Sequence, residues 1–559
     1  MEQLILLLHG LPLLAALLTH LLSPLLGQRA VRISVTLSVL TFVLAAVLLG
    51  YVLGGTVGAQ VALGPSWGVL QLDPLSVLMA LVVSGISLIV HLYAVRYMAE
   101  EAGYGRFFAL LDLMTAVLLV MVAAGDLITL LIAWHLVGVL LYLLLGHDTG
   151  SHSAYRYGFW TFFTYRIGDL PLVLAAGLLY HAYGTWSLSE IFAHISAAPD
   201  VRTAFGLPLT ETVAVLLAVA AFARSAQFLL HTWLPYTMEG PTPVSALMHA
   251  GIVNAGGFLI NRFAPVFVHT GDVLHWLFVV GLVTAVIGSV LMLTQNDVKK
   301  ALGYSTMGQM GFMIMECGVG AFSLAIYHLI AHGVFKGTLF LGAGSVIHEA
   351  RADDGVPKDP LYKFVVERRP ARRPVPWILM AAITLAVPVT ILVAAHWLVA
   401  QDFFQKQGAI VLLFFGWVTG AQLLFSTYHT RTENLWRLVA LIVASFTVVV
   451  LGYAVISHAF DLFLYPDPAF RARIYAAADI DILWFDILVV VMTTVIVLGW
   501  VLRYYSERAG ARGNGRVGRL WMNFYALVSR EFYVADVYAW VARLLLAFAA
   551  RLNVWLRWA

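Results

Sequence analysis

Three residues with titratable side chains recur at four-residue intervals in one apolar stretch of the sequence. His328, His332 and Lys336 lie in the segment 322–347, and their spacing puts them on one face of a helix, about 6 Å apart. Imidazole takes up and releases protons near neutral pH, and a lysine amine in apolar surroundings gives up its proton more readily than in water. The spacing therefore predicts a column that passes protons. The two histidines could instead ligate a metal, but no third ligand and no HExxH motif is evident, so we predict no metal site.

A second group of ionisable residues lies earlier in the chain, again within apolar segments. Arg166 and Asp169 are spaced i, i+3 and can pair on one helix, while Arg224 can reach the same carboxylate from another helix. A carboxylate shared by two cations would form a proton-coupled electrostatic switch, and a static buried triad is the alternative. His135, in a neighbouring apolar segment, is a further candidate for ion translocation.

The apolar segment 212–234 runs into a cluster of helix-breaking residues. The cluster consists of Pro235, Gly240, Pro241 and Pro243. We therefore predict a helix that is broken at membrane depth, which is tolerated only where protein or a water-filled cavity satisfies the freed backbone groups. His231 before the break and His249 after it are predicted to border such a cavity, as in transporters with discontinuous helices. A short re-entrant cap without a transport role is the alternative.

Membrane spans are the elements that must position these residues. Of the 559 residues, 61% are hydrophobic and only 11% are charged, whereas soluble proteins carry about 25% charged residues. About fifteen apolar segments reach spanning length, so the sequence predicts an all-α polytopic membrane protein with about 15 transmembrane helices. A charge at mid-span costs at least about 2.5 kcal/mol, which makes the ionisable residues within these segments candidates for function.

The distribution of charge predicts the orientation of the chain in the membrane, and the composition restricts its cofactors and partners. Lysine and arginine concentrate on one set of alternate loops, which predicts an outside N-terminus and a cytoplasmic C-terminus. The chain has a single cysteine and no CxxC motif, so we predict no redox cofactor. A net charge of +3 does not suggest a nucleic-acid partner. The tail, residues 504–559, mixes Trp, Phe and Leu with Arg and predicts a cytoplasmic or interfacial amphipathic helix pair in contact with lipid, with a helix that clamps a partner as the alternative.

Three ordered motifs resemble the proton-antiporter-like membrane subunits of respiratory complex I and Mrp antiporters. They are AQFLLHTWLPYTMEGPTPVSALMH at 226–249, DVKKALGYSTMGQMG at 297–311 and HLIAHGVFKGTLF at 328–340. Together with Arg106-Phe-Phe and the region of Trp134, the resemblance covers about residues 70 to 350. Matches of this length in this order are highly specific.

The resemblance implies a fold and a set of roles. It implies inverted five-helix repeats with broken helices, and half-channels joined by charged residues along the membrane midplane. Lys336 and His332 resemble the family's central lysine and relay histidine, with His328 and His249 on the same path and Asp169 a charged partner. The chain then divides into N-terminal helices (1–70), the first repeat and central helices of the antiporter-like core (71–350), a basic cytoplasmic loop (351–374), C-terminal transmembrane helices (375–503) and the tail (504–559).

Three departures from the family pattern distinguish this chain from a complex I subunit. Where the family has Trp-Glu-Gly, this chain reads Trp134-His135-Leu136, and Arg224 occupies the position of the first-channel lysine. Arginine holds its charge but cannot relay a proton as lysine does. The sequence also lacks the long lateral helix of the largest complex I subunit.

A branch that fits these departures is the membrane subunit of DAB-type inorganic carbon pumps. Its resemblance implies H⁺ or Na⁺ flow through a bacterial inner-membrane subunit, coupled to CO₂ and bicarbonate conversion. The implied partner is a soluble zinc-binding, carbonic-anhydrase-like subunit of the DabA type. A proton-pumping subunit of a complex I or NDH-like quinone oxidoreductase and a Na⁺/H⁺ antiporter subunit are the alternatives. We expect a transporter subunit and not an enzyme; only as part of a complex I-like assembly would the chain be a component of a translocase.

Overall fold

The computed structural model describes residues 1–56, 58–64, 68–295, 297–352, 455–479 and 516–557. Fourteen α-helices follow one another in the part described up to residue 352. They are α1 (Glu2–Leu26), α2 (Val31–Leu53), α3 (Pro74–Tyr97), α4 (Tyr104–Ala123), α5 (Leu127–Leu145), α6 (His152–Tyr183), α7 (Leu188–Ala197), α8 (Leu209–Arg224), α9 (Thr242–Ala250), α10 (Ala255–Arg262), α11 (Ala264–Phe267), α12 (Gly271–Leu293), α13 (Val298–Gly318) and α14 (Phe322–Ala352).

The described C-terminal segments add four helices. They are α15 (Val455–Leu464), α16 (Pro468–Ala477), α17 (Arg516–Ser529) and α18 (Val534–Leu556). Short 3₁₀ turns occupy Gly27–Ala30, Leu234–Glu239, Ile252–Asn254 and Glu531–Tyr533. Strands β1 (Ala59–Ala62) and β2 (Val69–Leu72) pair antiparallel, with Ala59 opposite Leu72.

Nine helical stretches in the described part are long and apolar enough to cross a membrane, with α1 and α2 taken as one stretch. The all-α polytopic membrane fold is thereby confirmed, while the total of about fifteen spans and the orientation of the termini stay predictions. The predicted spans beyond residue 374 lie outside the described residues, apart from 455–459 at the start of α15. The predicted basic loop 351–374 also lies outside them, except that α14 extends to Ala352.

Local side-chain contacts fix the starts of several helices. Asp73 caps α3, since its carboxylate accepts from the Ser76 amide at 2.7 Å and the Ser76 hydroxyl accepts from the Asp73 amide at 2.8 Å. Asp126 caps α5 through the Thr129 amide at 2.8 Å and also accepts from the Val69 amide at 2.7 Å. The β hairpin, which the sequence did not predict, is therefore anchored on the first turn of α5.

Helices α12 and α13 approach so closely that side chains are excluded between them. A Cβ atom at Gly281 would lie 2.5 Å from the amide nitrogen of Met315, and one at Gly311 would overlap Ala285. Small residues permit this kind of backbone contact between membrane helices. The contact holds α13 in place, and α13 carries the polar side chains that face the column on α14.

Candidate ion-translocation site

The predicted column on α14 faces the inside of the protein. His332 and Lys336 are buried, with 5% and 2% of their surface exposed, and the His328 side chain is 16% exposed. Val334, on the opposite face of the same helix, is 59% exposed, and Phe335 beside it is 62% exposed. The helix therefore presents its ionisable residues to protein and its apolar residues to the surroundings.

One end of the column is a histidine held between a carboxylate and an amide. The Nδ1 atom of His328 lies 3.0 and 3.1 Å from the two carboxylate oxygens of Glu316, and its Nε2 atom lies 2.8 Å from Oε1 of Gln309. Both contacted groups accept hydrogen bonds, so the geometry suits an imidazolium that donates on both sides. The pair of Glu316 and His328 can therefore hold a proton within the protein.

The other end of the column holds the lysine. The Nζ atom of Lys336 donates to the Ser305 hydroxyl at 2.7 Å and lies 3.5 Å from the Leu302 carbonyl oxygen. Between the two ends, the ring of His332 lies 6.4 Å from that of His328, and its nitrogens have no hydrogen-bond partner among the described residues. A ring without fixed partners is free to accept from one neighbour and donate to another.

His249 joins this cluster from α9. Its ring stacks on Phe340 with centroids 4.2 Å apart, it is fully buried, and it is close enough to Lys336 and His332 to interact with both electrostatically. Its nitrogens, like those of His332, have no hydrogen-bond partner within the described part of the chain. The structure thus brings together His249, His328, His332 and Lys336, as predicted.

The earlier group also comes together, around Asp169 on α6. One carboxylate oxygen lies 2.9 Å from a guanidinium nitrogen of Arg166 and 3.1 Å from Nδ1 of His135, and the other lies 3.5 Å from a guanidinium nitrogen of Arg224. The Arg166 guanidinium is also 2.7 Å from Nδ1 of His135. The predicted sharing of Asp169 between Arg166 and Arg224 is therefore present in the geometry, with His135 as a third member.

Arg224 is held in an aromatic cage at the end of α8. The side chain is 1% exposed, and its guanidinium carbon lies 4.4 Å from the ring of Trp134 and 4.1 Å from the ring of Tyr165. It donates to the Trp134 carbonyl oxygen at 2.6 Å. A planar guanidinium suits this stack and this bond together, because its faces and its edge serve different partners. The cage fixes a permanent positive charge beside Asp169.

The helix break lies earlier than predicted. Helix α8 ends at Arg224, so the predicted span to residue 234 is ten residues too long. Ala226 and Leu229 then adopt left-handed backbone conformations with φ of 48° and 75°. The predicted breakers begin the following segments instead: Pro235 opens the 3₁₀ turn Leu234–Glu239, Gly240 follows that turn, and Pro241 and Pro243 lie at the start of α9.

Side chains satisfy the backbone freed by this break. The Trp233 indole donates to the Ala223 carbonyl at 3.2 Å, and Phe228 donates its amide to the Thr284 hydroxyl at 2.9 Å. His231 lies in the break, is fully buried and stacks on Phe228, with centroids 5.6 Å apart. Protein contacts thus replace the missing helical bonds, as a break at membrane depth requires.

A second break follows His249 and links the two ionisable groups. The span 242–262 divides at Gly251 into α9 and α10. Ser225, next to Arg224, donates its hydroxyl to the Val253 carbonyl at 2.7 Å and accepts from the Gly256 amide at 3.1 Å. The end of α8 is therefore bonded to the break that begins two residues after His249.

Several polar partners escaped the sequence analysis. Ser305 and Gln309 lie within the second family motif, but their contacts depend on how α13 crosses α14. A buried pair of His91 and Asp112, 3.0 Å apart, joins α3 to α4. Asp73 pairs with Arg262 at the start of α3. Helical spacing from Ser305 to Gln309 was the one signal in the sequence that could have identified the first two.

Asp73 lies outside the spans, and its partner Arg262 lowers the pKa of its carboxyl group. Burial raises the pKa of Asp73, but the Arg262 guanidinium and the hydrogen bonds from Ser76 together more than offset this and hold the pKa below its ordinary value. Arg262 also donates to the Val122 carbonyl oxygen at 2.9 Å. This pair ties α3, α4 and α10 together at one end of the bundle.

The arrangement offers no evident metal centre. Among the residues that the structure describes, no three His, Cys, Asp or Glu side chains are grouped so that they could hold a metal ion. The buried groups are instead imidazoles, an amine, carboxylates and guanidinium ions at broken helices, a set that suits the movement or fixation of charge. Fold and site together define a multi-pass ion-translocating membrane protein.

Comparison with known proteins identifies the family. A family model described as NADH:quinone oxidoreductase/Mrp antiporter, transmembrane, matches residues 124–422, and one described as the N-terminus of complex I chain 5 matches residues 64–108. The chain belongs to this family of proton-antiporter-like membrane subunits. It is a non-enzymatic, ion-translocating subunit and a multi-pass protein of a bacterial inner membrane.

Individual relatives refine this placement. The chain is 63% identical over 497 residues to the probable inorganic carbon transporter subunit DabB1 of Halothiobacillus neapolitanus, covering 89% of both chains. It is 40% identical over 301 residues to NADH-quinone oxidoreductase subunit L of Rhodobacter capsulatus, which covers 51% of this chain. The match spans only 42% of that relative's length.

Two solved structures share the fold. The Mrp complex from Dietzia sp. gives a TM-score of 0.57 at 25% identity, covering 99% of this chain and 63% of that chain. The membrane-bound sulfane sulfur reductase, an archaeal respiratory complex, gives a TM-score of 0.55 at 16% identity, covering 96% and 100%. The second similarity bears on the fold alone.

Proposed function

We propose that this chain is the proton-conducting membrane subunit of an inorganic carbon uptake complex. Downhill proton flow through the chain drives one-way conversion between CO₂ and bicarbonate in a soluble partner of the DabA type, which binds zinc and resembles carbonic anhydrase. The observation that carries the proposal is the burial of the His328–His332–Lys336 face of α14 while the other face of that helix is exposed. The similarity to DabB1 supplies the link to inorganic carbon.

The chemistry of the column favours H⁺ over Na⁺. Hard cations are bound by oxygen ligands, several at a time. The column instead offers imidazole nitrogens and an amine, which bind and release protons. Glu316 and Gln309 contribute oxygens at one end, but both face the imidazole of His328. Proton transfer along α14 requires water or a movement of the His332 ring to bridge the gaps on either side of it, since its nitrogens have no hydrogen-bond partner among the described residues.

The group around Asp169 serves this pathway as a fixed charge pattern. Arg224 and Arg166 stay protonated, so neither relays a proton. Their positions on either side of Asp169 set the local potential, and His135 hydrogen-bonds to the same carboxylate. The bond from Ser225 to the break after His249 passes any rearrangement of this group to the histidine column.

The membrane potential is large enough for the proposed coupling. One charge moving down the potential releases about 2.3 kcal/mol per 100 mV. One or two protons per turnover then bias a hydration equilibrium by several kcal/mol, enough for directional accumulation.

The direct test is substitution of the lysine in the intact complex. Lys336→Ala removes the amine, and Lys336→Arg keeps the charge but cannot release the proton, so both should abolish uptake of labelled inorganic carbon. Val334→Ala, on the exposed face of the same helix, is the matched control and should leave uptake unchanged. Immunoblots of the membrane fraction verify insertion. Wild-type uptake by the Lys336→Ala protein would overturn the proposal.

The quinone oxidoreductase relatives support a second candidate, a proton-pumping subunit driven by electron transfer elsewhere. Purification of the chain with its native partners separates the two. A zinc-containing partner and uptake that a protonophore abolishes support the carbon pump. Quinone reductase activity in the purified complex supports the second candidate. Sodium-dependent proton exchange by the complex would instead indicate a Na⁺/H⁺ antiporter.

A further inference from the structure

The C-terminal helices dock on the first helix break. The hydroxyl of Tyr538 on α18 donates to the carbonyl oxygen of Leu229, one of the two left-handed residues of the break. Phe532 contacts Phe228 edge to face, with centroids 6.1 Å apart, and Tyr538 contacts Trp160 in the same way at 5.8 Å. The tail therefore covers the break in the membrane core and does not lie apart from it.

A strained turn directs one carboxylate of the tail inward. Glu531, Phe532 and Tyr533 have φ of 54°, 57° and 59°, so three successive residues with side chains adopt the left-handed conformation. Such conformations cost about 1 to 3 kcal/mol each and persist only where surrounding contacts enforce them. The result of this turn is that Glu531 is buried, with 9% of its surface exposed.

The surroundings of Glu531 are hydroxyls and a cation. The Tyr236 hydroxyl donates to its Oε1 atom at 3.3 Å, and the Tyr304 hydroxyl lies beside the carboxylate. The charged groups nearby are Lys300, on α13, and Asp536, on the tail itself. The Lys300 ammonium in turn lies 5.3 Å from the centre of the Tyr236 ring.

The same stretch of α13 holds the relay lysine. Tyr304 lies beside Glu531, and the next residue, Ser305, accepts from the Lys336 ammonium at 2.7 Å. Lys336 also faces the Leu302 carbonyl oxygen. The tail carboxylate and the column thus contact neighbouring positions of one helix, at the end of α13 that begins with Lys299 and Lys300.

We infer that Glu531 is the group that exchanges protons between Lys336 and the aqueous phase at the Lys300 end of α13. A proton passes from the Lys336 ammonium to the Ser305 hydroxyl, which releases a proton to water, and water carries it past Tyr304 to the Glu531 carboxylate. Water or buffer then removes it, and the reverse order loads the lysine. This inference rests on the proposed relay role of Lys336 and assigns the tail a part in transport beyond membrane attachment.

The test measures proton flux in proteoliposomes that contain the whole complex, driven by an imposed potential at a series of pH values. Glu531→Gln should lower the flux about tenfold or more and flatten its pH dependence, since the amide cannot exchange a proton. Glu531→Asp should restore at least part of both. The control is Glu190→Gln, which changes an exposed glutamate on α7 and should leave flux unchanged.

Tail docking is measured in the same variants. Cysteines replacing Phe228 and Phe532 report contact by cross-linking, and Cys317 is buried, so it does not compete. Loss of flux with retained cross-linking supports the inference. Wild-type flux in Glu531→Gln overturns it, and so does loss of flux together with loss of cross-linking, because the carboxylate then only anchors the tail. A failed Lys336→Ala test would instead refute the proposed function.

Discussion

Arg224 offers a sharp test of how the first ionisable group works, through the substitution Arg224→Lys. Lysine keeps the positive charge near Asp169 but loses the bond to the Trp134 carbonyl and the stack between two aromatic rings. A hydrogen bond to a charged group contributes about 1.5 to 3 kcal/mol, and a desolvated cation–π contact about 0.5 to 2 kcal/mol. Lysine retains part of the cation–π contribution. We therefore expect Arg224→Lys to lower the free energy of unfolding by about 2 to 4 kcal/mol.

Two assays on the purified complex separate stability from transport. The thermal unfolding midpoint of Arg224→Lys should fall by several degrees. Proton flux below that midpoint should be retained at least in part, because a fixed positive charge beside Asp169 is preserved. The control is Arg166→Lys, whose guanidinium is 21% exposed, and whose change should cost about 1 kcal/mol or less.

Either of two results would refute this reasoning. An unchanged unfolding midpoint for Arg224→Lys would show that the aromatic cage contributes little. Complete loss of flux in a variant that stays folded would show that the guanidinium geometry itself is needed for ion movement. The second result would move Arg224 from a fixed charge to a direct participant in the pathway.

Two further substitutions test other contacts. Glu316→Gln keeps the shape of the side chain but removes the charge that faces His328 at 3.0 Å, so proton flux should fall about tenfold or more while thermal unfolding changes little; unchanged flux would exclude the Glu316–His328 pair from the relay. Asp73→Asn breaks the ion pair with the buried Arg262, and because the Asp73 side chain is 32% exposed, the loss should be about 1 to 2 kcal/mol at neutral pH. Because folding lowers the pKa of Asp73, the carboxylate stabilises the protein at pH values above the ordinary carboxyl pKa. This stabilisation is lost as the pH falls through the lowered pKa of the folded state. The unfolding free energies of the wild-type and Asp73→Asn proteins should therefore converge in acid. A constant difference at all pH values would contradict the assignment.

The column on α14 could be predicted from the sequence because its geometry is local. Residues four apart on a helix share a face whatever the rest of the fold does, and an exposed Lys336 would have been too costly in lipid. The start of α14 at Phe322 coincides with the start of the predicted segment 322–347, since apolar length defines a span, whereas the end of α8 did not follow from apolar length. The family motifs added which of these spans belong together.

The end of α8 and the contact of Ser305 could not be predicted from the sequence, because both depend on contacts between distant segments. Helix α8 ends at Arg224 because Ser225 bonds to Val253 and Gly256, far along the chain, and no local signal marks that position. The prolines downstream suggested a later end, but they begin new segments. Ser305 gained its role only because close packing at Gly281 and Gly311 fixes how α13 lies against its neighbours.

The two ionisable groups differ in a way that bears on mechanism. Around Asp169, two guanidinium ions keep their charge at any physiological pH, and one of them is held in place by aromatic rings. Along α14, the groups are imidazoles and an amine, and His332 lacks fixed hydrogen-bond partners among the described residues. A proton arriving at the column changes the charge there, whereas the charge on the guanidinium ions cannot respond. Any coupling between the two groups therefore runs through Asp169, His135 or the helix breaks, and the contact between Asp169 and the half-exposed His135 ring is one place where variants can test it.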